Sequence, residues 1–148
     1  MLRVIMLLLG VVTSIDALAF PCFITMVKAS CWADYTVTVS VTKPGSDKKV
    51  ATIVIPIGKS WIRQAFSCEP ADTLSLKATF TPTIWESDEG RIYSASRDWR
   101  LPQAVVKGDT AWNIPVCFPN AFSEVPVPPN ASGDCGCVYD DIPPVKPQ

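Results

Sequence analysis

The chain has no histidine, only seven glycines and, beyond Phe20, no apolar run of membrane-spanning length. Without an imidazole, its serine and threonine hydroxyls lack the base that a catalytic triad needs. The same absence removes the commonest nitrogen ligand for a metal site. There is no glycine-rich phosphate loop. Charge is balanced, 13 Lys and Arg against 14 Asp and Glu for a net of −1, so nothing electrostatic calls for nucleic acid or anionic lipid as a partner. Lys48-Lys49 is too short for a basic patch and decorates a solvated turn.

What is present begins with an export signal. Arg3 supplies the positive start, Val4–Val12 the apolar stretch, and Ala17-Leu18-Ala19 the small residues of a cleavage site. The stretch is short of the roughly 20 residues that span a bilayer. Residues 1–19 are therefore expected to be a removable signal peptide, residues 20–118 a domain, and residues 119–148 a proline-rich strap and tail. After signal removal no stable membrane insertion is expected. All six cysteines, Cys22, Cys31, Cys68, Cys117, Cys135 and Cys137, follow the signal, which predicts an oxidising compartment and three disulfides.

Strict alternation dominates the middle of the chain. Tyr35, Val37, Val39 and Val41 share one face of an expected strand, with Thr36, Thr38, Ser40 and Thr42 on the other. Lys43–Lys49 is a turn containing Pro44-Gly45, and Val50–Ile55 returns as a hairpin. Further strands are expected at Ser60–Phe66, Leu74–Thr81, Arg91–Trp99 and Trp112–Val116, with Gln103–Lys107 as an edge strand or crossing loop. No helical apolar stripe competes. The fold class expected is an all-β, disulfide-stapled antiparallel β-sandwich of immunoglobulin-like type, with a small open barrel as the alternative. Seven of the 14 prolines fall between Pro119 and Pro147, so Val125–Pro129 should run extended. Cys135 and Cys137 should strap this segment to the domain, while Asp141–Gln148 frays.

Three constellations carry candidate chemistry. Cys135-Gly-Cys137 suggests thiol–disulfide exchange, but Asp134, Asp140 and Asp141 disfavour the thiolate such chemistry uses. The alternative is that each cysteine bonds a different distant partner. Cys68 with Cys117 across the sandwich is one such arrangement; Cys22 and Cys31 then take the tail pair, or bond each other across a Phe23–Ser30 loop. Among the five tryptophans, Trp32, Trp99 and Trp112 fall in core patterns, whereas Trp61 and Trp85 are available for a surface. Trp85 heads the turn Glu86-Ser-Asp88-Glu89-Gly90, which offers an aromatic plate and three carboxylates. That set could bind a partner or glycan, or serve a carboxylate-dependent glycan hydrolase. No catalytic residue, metal ligand or cofactor is assigned.

The stretches Pro21-Cys-Phe, Ser30-Cys-Trp32, Gly58-Lys-Ser-Trp61, Phe66-Ser-Cys-Glu-Pro70 and Gly108–Pro119 resemble small uncharacterised exported proteins of intracellular gamma-proteobacteria. The resemblance implies a periplasmic or secreted location and brings no activity with it. The function expected is a non-enzymatic binding or structural module with a protein or glycan partner. The enzymatic alternative is a thiol oxidoreductase at Cys135/Cys137 or a hydrolase using Glu86 and Asp88.

Overall fold

The computed structural model describes residues 20–131 and 135–146. The signal expected over residues 1–19 lies outside the described residues. Among the described residues eight strands form two packed sheets, and three disulfides crosslink the chain, an all-β protein. The strands are β1 (Cys22–Lys28), β2 (Thr36–Thr42), β3 (Lys49–Ile55), β4 (Trp61–Phe66), β5 (Thr73–Thr81), β6 (Tyr93–Ser94), β7 (Trp99–Arg100) and β8 (Trp112–Phe118). One sheet has the order β4-β1-β8 and the other β3-β2-β5-β6, with β7 also paired to β5.

The five-stranded sheet follows the alternation closely. Val37, Val39 and Val41 are fully buried while Thr36, Thr38 and Ser40 stay half-exposed. β5 repeats the pattern beside β2, with Val37 opposite Phe80 and Val41 opposite Leu76. Branched side chains on one face are thus buried against the second sheet, and hydroxyls on the other meet water.

The three-stranded sheet departs from the expectations. Phe23–Ser30 is not a loop: Cys22–Lys28 forms β1, the centre of the sheet and the most buried strand. Its pairing with β8 is parallel, Cys22 beside Trp112 through Lys28 beside Phe118, so the sandwich is not purely antiparallel. β1 shows no alternation because both its faces are covered. Cys22, Ile24 and Met26 enter the core between the sheets. Val27 projects from the opposite face with its register partner Cys117, and the Cys117–Cys137 disulfide lies there. The Cys137 Sγ is 3.3 Å from the Val27 carbonyl oxygen.

The Arg91–Trp99 expectation also fails: the segment is not one strand but two short ones, β6 and β7, each paired with β5. Gln103–Lys107 takes the loop form, one of the two expected for it. The Cys68–Cys117 pairing is also overturned, because Cys68 bonds Cys22 at the start of β1. A register that sets Cys22 opposite Phe66 brings Cys68, two residues on, to its side. Cys31 bonds Cys135 and Cys117 bonds Cys137, so the adjacent tail cysteines do take different distant partners.

An aromatic cluster joins the sheets at one end. Trp32, in a single 3-10 turn between β1 and β2, contacts Tyr35, Phe80 and Phe118 edge-on, with centroids 4.6–4.9 Å apart. Phe122 packs on Phe118 from the segment after β8, whose Ser123 N–H donates to Ser94 O. Edge-to-face contacts of this kind add to the area that the rings bury.

Candidate functional site

The loop between β5 and β6 is the most exposed aromatic feature. Pro82 cannot continue the ladder after Thr81, and Ile84 turns inward against the core. The next residue, Trp85, is 60% exposed. Glu86–Asp88 forms a 3-10 turn, in which the Asp88 N–H donates to Trp85 O and the Arg91 N–H to Asp88 O, each at 2.9 Å. Gly90 closes the turn with φ of 75°, a conformation that side-chain-bearing residues avoid.

Arg91 fastens this loop. Its guanidinium lies 3.5 Å from Asp88 and 3.7 Å from Glu124, and 5.3 Å from the Tyr93 ring centroid. Asp88 is therefore held by a cation, while Glu86 and Glu89 point to solvent. The cavity lined by Asp34, Tyr35, Pro82 and Asn130 includes none of the three carboxylates. The loop thus offers a plate with a charged rim rather than two carboxylates facing across a cleft.

Trp61 stands elsewhere, on β4 at the border of the three-stranded sheet. It is half-buried, with the Arg63 guanidinium 5.7 Å from its ring centroid, and lines an open groove with Gly58–Arg63 that Trp85 does not enter. Trp32, Trp99 and Trp112 are buried. The six cysteines are all in disulfides. A Cys135/Cys137 dithiol would require both the Cys31 and the Cys117 bonds to open.

Two polar features had no signature in the sequence. Lys28 ends the inward row of β1, and its Nζ donates to Tyr35 O (2.7 Å) and Pro56 O (2.9 Å). Burial pulls the Lys28 ammonium below its ordinary pKa, and Asp34 opposes that only in part. On the outer face of the same sheet, the Arg63 Nε donates to Thr25 Oγ1 (2.9 Å), which donates to Asn113 Oδ1 (2.7 Å). Lysine at the end of an apolar run, and a threonine inside one, look like ordinary strand residues until the sheets are assembled.

Among the described residues, no group of three or more Cys, Asp or Glu side chains comes together to hold a metal, and no helix is long and apolar enough to cross a membrane. The fold defines a small, disulfide-crosslinked protein of two packed β-sheets. Three disulfides, one buried and two half-buried, suit an oxidising environment. Compared with protein-family models, curated proteins and solved structures, the chain matches none of them.

Proposed function

We propose that this chain is an exported, non-enzymatic binding module of the periplasm or extracellular space, and that Trp85 anchors its partner. The observation that carries this reading is the exposure of Trp85 on a loop fastened by Arg91, beside three tryptophans that are buried. A large aromatic surface held in place loses little conformational freedom on binding, which is why tryptophan is common at the centre of interfaces. The export signal in the sequence and the disulfides support the location. The engagement of every cysteine and the exposure of Glu86 and Glu89 to solvent support binding over catalysis.

The test uses the exported form, whose intact mass should start near Phe20, immobilised and exposed to native compartment proteins and to a glycan array. Trp85→Ala should leave stability within about 0.5 kcal/mol, as exposed positions usually do, while abolishing capture. Capture that survives the substitution, or a large fall in melting temperature, counts against Trp85 as the anchor.

A further inference from the structure

The two outer strands of the three-stranded sheet are closed differently. Trp112 N–H donates to Pro21 O (3.0 Å) and Ala29 N–H to Phe118 O (2.9 Å), so the even-numbered residues of β8 turn their backbone groups toward β1. Its odd-numbered residues face away, and one of these is Pro115, which has no N–H to offer a newcomer. That edge is blocked at its middle.

β4 carries no such block. Lys28 N–H donates to Ser60 O (2.7 Å), and the register continues as Met26 with Ile62, Ile24 with Gln64 and Cys22 with Phe66. Alternation then aims the backbone groups of Trp61, Arg63 and Ala65 away from β1. Among the described residues no strand is hydrogen-bonded to that side of β4. Gln64 projects from the same face as the half-buried Ile62 and Phe66, yet it is exposed, and its amide donates to Ala65 O at 3.1 Å. β3 of the other sheet passes near β4 without pairing to it, so among the described residues the outward backbone groups of Trp61, Arg63 and Ala65 have no strand partner.

Charge along this edge has one sign. Residues 58–67 contain Lys59 and Arg63 and no carboxylate, and neither cation makes an ion pair among the described residues. The groove of about 610 Å³ beside Lys59 and Trp61 opens at the start of β4. A second, of about 390 Å³, is lined by Lys48, Lys49 and Ser67 at its end. A second copy of the chain is a poor occupant: antiparallel self-pairing centred on Arg63 sets two guanidiniums directly opposite, which destabilises a strand pair.

We infer that the outer edge of β4 is a strand-addition site for an extended, carboxylate-bearing segment of a partner protein. Backbone groups of Trp61, Arg63 and Ala65 supply the ladder, and Lys59 and the terminal guanidinium nitrogens of Arg63, whose Nε stays on Thr25 Oγ1, meet the carboxylates. This surface is distinct from the Trp85 loop and does not depend on it.

The probe is a capped octapeptide of alternating Glu and Val, titrated into the disulfide-bonded exported form beside its Lys-Val counterpart. The Glu-Val peptide should bind, more weakly as salt rises, and protect the amides of Trp61, Arg63 and Ala65 from hydrogen exchange; the Lys-Val peptide should not. Arg63→Glu should weaken Glu-Val binding about tenfold or more, the loss expected for a charge-assisted contact, and admit the Lys-Val peptide. Ala65→Pro, which removes an outward donor and no β1 bond, should weaken it as well; should that variant misfold, Arg63→Glu and the exchange pattern still decide. Trp85→Ala should bind the peptide normally. Equal binding of the two peptides, protection elsewhere, or loss of binding in Trp85→Ala overturns the inference. So does dimerisation without peptide through Trp61–Ala65, or a sulfated polysaccharide that binds in preference and ignores Ala65→Pro.

Discussion

Two buried polar groups, the Lys28 ammonium and the Tyr93 phenol, give this protein opposite responses to alkali. Burial lowers the Lys28 pKa, so between its folded value and the ordinary lysine value of about 10.4 the unfolded chain binds more protons. Stability therefore rises with pH through that window. Tyr93 is raised by burial, with Arg91 opposing and Asp88 reinforcing. Its contribution is complete below the unfolded value of about 10 and is lost as pH climbs through the folded one. Denaturant unfolding from about pH 8 to about pH 11 should show Lys28→Met losing the rise and Tyr93→Phe losing the fall. The Tyr93 hydroxyl is buried without a hydrogen-bond partner among the described residues. Removing it should leave stability near neutrality unchanged or raise it by about 1 kcal/mol.

At the scale of elements, the three-stranded sheet is the informative half of the molecule. The Arg63–Thr25–Asn113 row ties its three strands together across the outer face, and Thr25 is 2% exposed. Thr25→Val keeps the shape and deletes both bonds. Because Arg63 and Asn113 can still reach water, the expected loss is about 1 kcal/mol in chemical denaturation. Pro115 occupies a position whose missing N–H costs the β1 ladder nothing. Pro115→Ala should thus change stability by no more than about 1 kcal/mol. It should also unblock the β8 edge, which sedimentation would register as new self-association.

For the whole molecule, the disulfides set how far the chain can open when unfolded. Cys31–Cys135 spans 104 residues and Cys117–Cys137 only 20. On the loop-entropy account, the long crosslink stabilises more than the short one by about 1.5 kcal/mol. Replacing Cys31 and Cys135 with serine should therefore lower the unfolding midpoint further than replacing Cys117 and Cys137. The second pair also covers Val27, so part of its loss will come from exposed apolar surface rather than from chain entropy.

The sequence by itself determined the all-β class and most of the five-stranded sheet, because that sheet has one wet face and its alternation is written residue by residue from Tyr35 to Thr42 and from Leu74 to Thr81. It also determined that the cysteines would be crosslinked, since all six follow an N-terminal stretch with the pattern expected of an export signal. It could not determine β1. A strand covered on both faces loses the alternation that identifies a strand, and Cys22–Lys28 becomes a plain apolar run. Nor could it choose the disulfide partners, which follow from registers such as Cys22 beside Phe66 and Val27 beside Cys117. Trp85 and Trp61 stood out by residue type, whereas Lys28 and the unpaired edge of β4 did not. Their properties come from the rest of the chain: the carbonyls of Tyr35 and Pro56 in one case, and the lack, among the described residues, of a strand paired beyond β4 in the other. Burial and unpaired edges are decided by tertiary packing, so only the assembled sheets could reveal them.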